Sequence, residues 1–270
     1  MRPWEVSVKG AVKGGMSPVQ KRRYHQAMER IRLTAQRGMR ANVRREFRAQ
    51  EESILALPDP TPDLVRSVLT LSLPDWYRIF EHTYVSIADK VYPYLDTTAN
   101  IKARYEAMEL KGEAEETEYE VAIREWVRRE CGEKIVAINQ VTLDRVKRIY
   151  ETTENQIEFR TEVAKLFDDE FPGRSNAIAR TETACATNRA AVETMDVLGF
   201  DGWKVWMAVG DADTRDTHAR IDGMRVRQDE CFEYVGLKGG LVRMECPLDS
   251  KYGAPPEEVI NCRCDVGFEF

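Results

Sequence analysis

Asp211-Ala212-Asp213-Thr214-Arg215-Asp216-Thr217-His218 opens a stretch that runs through Asp222-Gly223 and closes on Asn261-Cys262-Arg263-Cys264. One histidine and a tight Cys-x-Cys pair at the two ends of about 50 residues are a way to fold a segment with too little apolar surface to hold itself together. A regular strand would splay Cys262 and Cys264 to opposite faces, whereas a bent loop turns both sulfurs inward. Zinc sites want about four Cys or His ligands from short loops. Here Cys262, Cys264 and His218 are candidate ligands for a structural zinc, with Cys246 or Cys231 as the fourth. Because Cys-x-Cys is less typical of zinc than Cys-x2-4-Cys, a metal-free core also stays open, with His218 hydrogen-bonded to a neighbouring Asp and Arg263 paired with another.

Working outward, the sequence on both sides of this stretch reads as short strands. Trp203, Val205, Met207 and Val209 alternate with Lys204, Trp206 and Ala208, which predicts a strand buried on at least one face. Thr214–Ile221 reads as a short helix capped by Asp213, and Asp222-Gly223 as a turn into a hairpin strand over Met224–Arg227. Lys238-Gly239-Gly240, Tyr252-Gly253 and Pro255-Pro256 mark loops, and Asp265–Phe270 alternates as a closing strand. Four of the six cysteines fall in the last 40 residues, while Cys131 and Cys185 sit in helical patterns and read as small buried hydrophobes.

Everything before Gly199 reads as helix. Ser17-Pro18 is a helix start, and Tyr24, Met28, Ile31, Ala35, Met39, Val43 and Phe47 recur at steps of three and four, weakened at Gly38 and ending before Pro58. Further helices are expected over 62–71, from Leu73 onward, over 98–110, 115–130, about 141–153 and 158–170, and over 174–198, with breaks at Gly112, Cys131-Gly132 and Phe171-Pro172-Gly173. The fold class is α+β: a flexible arm (1–16), an elongated all-helical body (17–199) and a small C-terminal domain (200–270) of a few antiparallel strands and one short helix.

Trp206, Asp213-x-Arg215-x-x-His218, Asp222-Gly223, Pro255-Pro256 and Asn261-Cys262-Arg263-Cys264, in that order, resemble the C-terminal domain of the Mu F-like family of phage head morphogenesis (minor head) proteins. Ile178-Ala179-Arg180-Thr181-Glu182-Thr183, followed by Asn188-Arg189-Ala190, is similar to that family's helical lead-in, and the resemblance covers roughly residues 135–270. It implies a structural protein of the virion, held near the portal vertex, docking on portal or major capsid protein, and acting in head assembly and DNA delivery. Arg180, Glu182, Asp213, Arg215 and Asp222 are expected to form a structural polar network, with Arg180 or Glu182 linking the last helix to the C-terminal domain.

Composition narrows the alternatives. With 32% charged and 43% hydrophobic residues the chain is neither disordered nor of low complexity. No apolar run approaches the roughly 18 residues a bilayer span needs, and Met1–Glu5 open no signal core, so a cytosolic protein without a membrane partner is expected. The net charge of −6 hides ten Lys or Arg against two Glu between Ser17 and Gln50. Lys21, Arg22, Arg23, Arg37, Arg40, Arg44 and Arg45 are therefore candidates for contacting DNA phosphates or an acidic partner. Asp211, Asp213, Asp216, Asp222 and His218 would suit a metal-dependent nuclease or toxin-like enzyme. Helix capping and the turn account for two of them, however, and the chain has no phosphate loop, nucleophile elbow or His-Glu-x-x-His motif. A non-enzymatic role is expected.

Overall fold

A computed structural model describes residues 11–12, 16–95 and 117–269. The expected helix over 98–110, the break at Gly112 and most of the 1–16 arm lie outside these residues. The described elements are β1 (Ala11–Val12), α1 (Pro18–Leu55), α2 (Pro62–Leu71), α3 (Leu73–Leu95), α4 (Glu118–Thr152), α5 (Gln156–Val197), β2 (Trp203–Met207), α6 (Asp216–Arg220), β3 (Arg225–Arg227), β4 (Phe232–Val235), β5 (Leu241–Met244), α7 (Pro256–Val259) and β6 (Asp265–Glu269). The fold is α+β, with long helices first and a strand-bearing C-terminal region after them. No helix among the described residues is long and apolar enough to cross a membrane.

Two of the expected helix breaks are absent. α4 runs through Cys131-Gly132 and α5 through Pro172-Gly173. Proline inside a helix removes one intrahelical bond and crowds the preceding turn, but here the flanking residues are anchored. Phe171 stacks on Phe47 (4.5 Å between centroids) and meets Phe167 edge-on (4.0 Å), while Arg174 donates to the Ile138 carbonyl (3.0 Å) and to Thr142 Oγ1 (3.1 Å). Packing on both sides of the proline outweighs the local preference to stop.

The contacts divide the chain into two compact units. One comprises Gln36–Thr83 and Glu125–Ala179, and the other Met1–Ala35, Tyr84–Arg124 and Arg180–Phe270. These are not consecutive blocks: the strands share their unit with the first half of α1.

In the Gln36–Thr83/Glu125–Ala179 unit, Phe47, Ile54, Val65, Leu69, Trp76, Ile135 and Phe171 are buried, and Trp76 packs edge-on against Phe47 at 5.3 Å. One polar knot lies inside it. Gln50 donates to Asn139 Oδ1 (3.0 Å) and Ser72 Oγ (2.8 Å), and Asn139 donates to the Leu69 carbonyl (2.7 Å), so both amide nitrogens are paired, while Gln50 Oε1 has no hydrogen-bond partner among the described residues. Arg160 donates to the Leu55 and Leu57 carbonyls and so satisfies orphan acceptors where α1 ends.

In the other unit, a four-stranded sheet has the order β1-β6-β2-β3, with β1 parallel to β6 and the remaining pairs antiparallel. β6 is buried along its whole length. At its centre a Cβ on Gly267 would fall 2.3 Å from Met207 Sδ, so a side chain there would have to displace the end of Met207. β4 and β5 form a separate antiparallel hairpin that the turn residues alone did not reveal, and α7 is a second short helix where Pro255-Pro256 had marked only a loop. The hairpin turns its buried Phe232, Tyr234, Val242 and Met244 inward.

Three side chains of α1 bind this unit's strands and turns. Lys21 pairs with Asp222, and Arg32 (2.9 Å) and His25 both pair with Asp265, the 1%-exposed first residue of β6.

Candidate metal centre

The centre is assembled from five pieces of backbone. β2 supplies Trp206, α6 supplies His218, β4 supplies Tyr234, α7 supplies Glu258, and the loop entering β6 supplies Cys262 and Cys264. That loop is bent at Asn261, which takes a left-handed φ of 60° and donates its N–H to Thr181 Oγ1 (3.0 Å). Asn tolerates this conformation better than most residues. The bend lets Cys262 Sγ accept the Cys264 N–H (3.4 Å) while both sulfurs face one way.

His218 Nδ1 lies 3.4 Å from Cys262 Sγ and 3.5 Å from Cys264 Sγ. On the other edge of the ring, Nε2 lies 3.0 Å from Glu258 Oε2 and 3.2 Å from Tyr234 Oη. All are buried, His218 and Cys262 to 1% exposure and Glu258 to 0%. Trp206 covers the imidazole at 5.0 Å between centroids and meets Phe232 and Tyr234 at 5.4 and 5.7 Å. The two thiols are linked electrically: sharing a hydrogen bond with Cys264, and aided by His218, Cys262 is the thiol held well below its ordinary pKa, and Cys264 is pushed up by the same bond. Burial, and then the Glu258 carboxylate, push the Tyr234 phenol up, so it stays a neutral hydroxyl.

Among the described residues, His218, Cys262 and Cys264 form the one group of Cys, His or acidic side chains whose ligand atoms lie close enough to hold a metal, all within 4.8 Å. Two sulfurs and an imidazole suit a zinc-type ion better than a hard, oxygen-seeking one. Two thiolates would also neutralise a divalent charge in a dry site. Cys246 is not a member: its thiol is pushed well up by burial and neighbours Arg189, Asp249, Cys185 and Lys204. Cys231 faces Arg243 and Tyr252. Thiol, imidazole and carboxylate in line also match a cysteine nucleophile with its base and orienting acid. Their burial leaves a substrate carbonyl no approach to the sulfur.

The carboxylate site of the alternative, enzymatic reading does not assemble. Asp211 pairs with Arg263 (2.7 Å), which holds its carboxyl below the usual range, and Asp222 pairs with Lys21 and accepts the Ala208 N–H (2.7 Å). Asp213 is 87% exposed, 3.6 Å from Arg263, and caps nothing, because Arg215 holds the cap position of α6 without a side-chain bond.

The expected polar network is likewise dispersed. Arg180 is exposed, Glu182 accepts from Tyr84 Oη (2.8 Å), and Arg215 donates to the Ile260 carbonyl. The links between α5 and the strands are made by other residues. Besides Thr181, Asn188 donates to the Cys264 carbonyl (3.0 Å) and accepts the Val266 N–H (2.8 Å). Arg189 pairs with Glu193 and Glu245, each at 2.6 Å. Despite its burial, Glu245 is held down to about 2 by donors from Lys251, Arg189 and Tyr252. Asn188-Arg189 lay within the family-like stretch, where they carried no assigned role.

Residues 146–267 match the family model described as Phage Mu protein F like protein. This stretch, somewhat under half of the chain, is similar to the Mu F-like family. The Mu F-like stretch takes in all of β2 to α7 and the three candidate ligands, and it supports a phage head-associated structural role. The chain is also 34% identical over 109 residues to the NAD(+)--arginine ADP-ribosyltransferase EFV of Enterococcus faecalis (strain ATCC 700802 / V583), a match covering 38% of this chain and 21% of that protein. The chain thus spans about a fifth of the length of this curated relative. No solved structure matches.

Of the candidate basic residues, Lys21 is engaged with Asp222, while Arg22 and Arg23 are exposed. In the Gln36–Thr83/Glu125–Ala179 unit, α1 exposes Arg37, Arg40, Arg44, Arg45 and Arg48. Arg37, Arg40, Arg44 and Arg48 follow one another at steps of three and four, which places them along one face. Glu46 leaves that surface: it is 8% exposed, and burial, then the nearby Asp75 charge, push its carboxyl up to about 7.

Proposed function

We propose that the protein is a minor head protein of a phage, working in head morphogenesis in the host cytoplasm and remaining in the virion near the portal vertex. In this reading it docks on portal or major capsid protein, and the exposed arginines of α1 contact packaged DNA through phosphates, without sequence preference. The His218/Cys262/Cys264 group serves the fold and takes zinc. The Mu F-like match over 146–267 carries the reading, because it spans the whole centre and the strands that build it. The buried thiols favour a structural job for that centre over a catalytic one.

The test is mass spectrometry of purified heads and mature particles, together with co-purification of the tagged chain with portal and capsid proteins. The chain should be present at low copy and bound to one of those partners. Particles that assemble fully without it would overturn the proposal. The rival, a metal-dependent nuclease or toxin-like enzyme, would reveal itself as metal-dependent turnover of nucleic acid by the purified protein that disappears in His218→Ala.

A further inference from the structure

We infer that zinc is held here by the Nδ1 atom of His218 with the Cys262 and Cys264 sulfurs, and that Glu258 is the positioning residue that commits His218 to that nitrogen. This rests on the zinc reading above and adds which atom is used and what enforces it. An imidazole offers a metal one lone pair, and its other nitrogen then carries a proton that needs an acceptor.

The two edges of His218 are unlike. Both sulfurs lie on the Nδ1 side, at 3.4 and 3.5 Å, and a carboxylate lies 3.0 Å from Nε2. Glu258 is itself held by donors: the Leu237 N–H at 2.7 Å, the Thr217 hydroxyl at 3.0 Å and the Tyr234 hydroxyl at 3.5 Å. A fully buried carboxylate fixed in this way accepts the Nε2 proton, and the Nδ1 lone pair is left facing the sulfurs. A charged acceptor also makes the ring a stronger ligand. Tyr234, 3.2 Å from Nε2, is a neutral hydroxyl and a weaker acceptor.

Long-range proton–nitrogen NMR of the zinc-loaded full chain tests this directly, since it distinguishes a metal-bound Nδ1 with a protonated Nε2 from the reverse. The first pattern is expected for His218, assigned by its disappearance in His218→Gln, and the reverse would overturn the inference. A second measurement is zinc competition against a chromogenic chelator in Glu258→Gln, a change that keeps side-chain size. Loss of a ligand's outer partner weakens metal sites about 10–100-fold. Affinity should fall within that range, while cobalt(II) substitution still shows the thiolate-to-metal band, because both cysteines remain. Unchanged affinity in Glu258→Gln would sink the role given to Glu258 and leave the zinc reading standing. Wild-type protein that takes up no zinc would remove the zinc reading itself.

Discussion

At the residue scale, the centre works because a few side chains satisfy one another out of water. If the two sulfurs are ligands, Cys264→Ser should lose bound zinc outright. Elemental analysis of the wild type should show about one zinc per chain, the variant none, and equal zinc in both would exclude Cys264. Glu46 gives a pH-dependent prediction away from this centre. Its folded-state pKa of about 7 lies above the ordinary carboxyl value of 4.5, so the folded form keeps a proton that the unfolded form releases between those values. Stability therefore falls as pH rises through that window, and the full penalty remains above it. Glu46→Gln should stabilise the fold by about 1–2 kcal/mol at pH 8, after discounting for solvent screening, and change nothing near pH 4. Urea midpoints at the two pH values decide it. Of these residues, His218, Cys262 and Cys264 were legible from sequence because cysteine and histidine at the ends of one segment have few other reasons to be there. Glu258 was not, because nothing in Pro255-Pro256-Glu257-Glu258 points to a histidine 40 residues earlier. Cys246 was a false lead of the same kind: its place in sequence fits a ligand set, and the backbone turns it toward Arg189.

At the element scale, period and punctuation located most boundaries and misread the glycines and the proline inside long helices. The starts at Pro18, Pro62 and Leu73 and the end at Val197 follow from Ser17-Pro18, Thr61-Pro62, Ser72-Leu73-Pro74 and Gly199. Gly132 and Pro172 carry stop signals that tertiary packing overrides, and the ring contacts of Phe171 cannot be seen from its neighbours in sequence. The β4–β5 hairpin was missed because Phe232-Glu233-Tyr234-Val235 is short and its turn, with glycines at 236, 239 and 240, reads simply as a loop. Two glycines that remain inside helices lack a packing reason. A Cβ at Gly38 or Gly173 would meet nothing within 4 Å. Gly38→Ala and Gly173→Ala should each raise stability by about 0.5–1 kcal/mol, through helix propensity and a less flexible unfolded chain. Thermal or denaturant unfolding of the two variants measures this, and a loss of stability in either would mean that its helix is strained there.

At the scale of the whole molecule, the family-like stretch does not contain everything its own unit uses. Asp265, 1% exposed, has its charge met by Arg32 and is also paired with His25, both from α1, which precedes residue 146. Asp265→Asn leaves the Arg32 guanidinium buried without its carboxylate. Breaking one side of a buried pair costs about 3–5 kcal/mol, a loss that denaturant unfolding would register. For the same reason, removing residues 1–57 to test DNA binding would also strip buried Tyr24, Met28 and Arg32 from that unit. Charge reversal on the exposed face of α1 is the cleaner experiment. Arg40→Glu, Arg44→Glu and Arg45→Glu together change only exposed side chains, so circular dichroism should be unaffected. If those arginines neutralise phosphates, wild-type affinity for duplexes of unrelated sequence should be equal and should fall steeply with salt. The triple variant should bind at least about tenfold more weakly with a shallower salt slope. Unchanged binding would move the DNA contact off α1 and leave its arginines to face an acidic surface of a head protein.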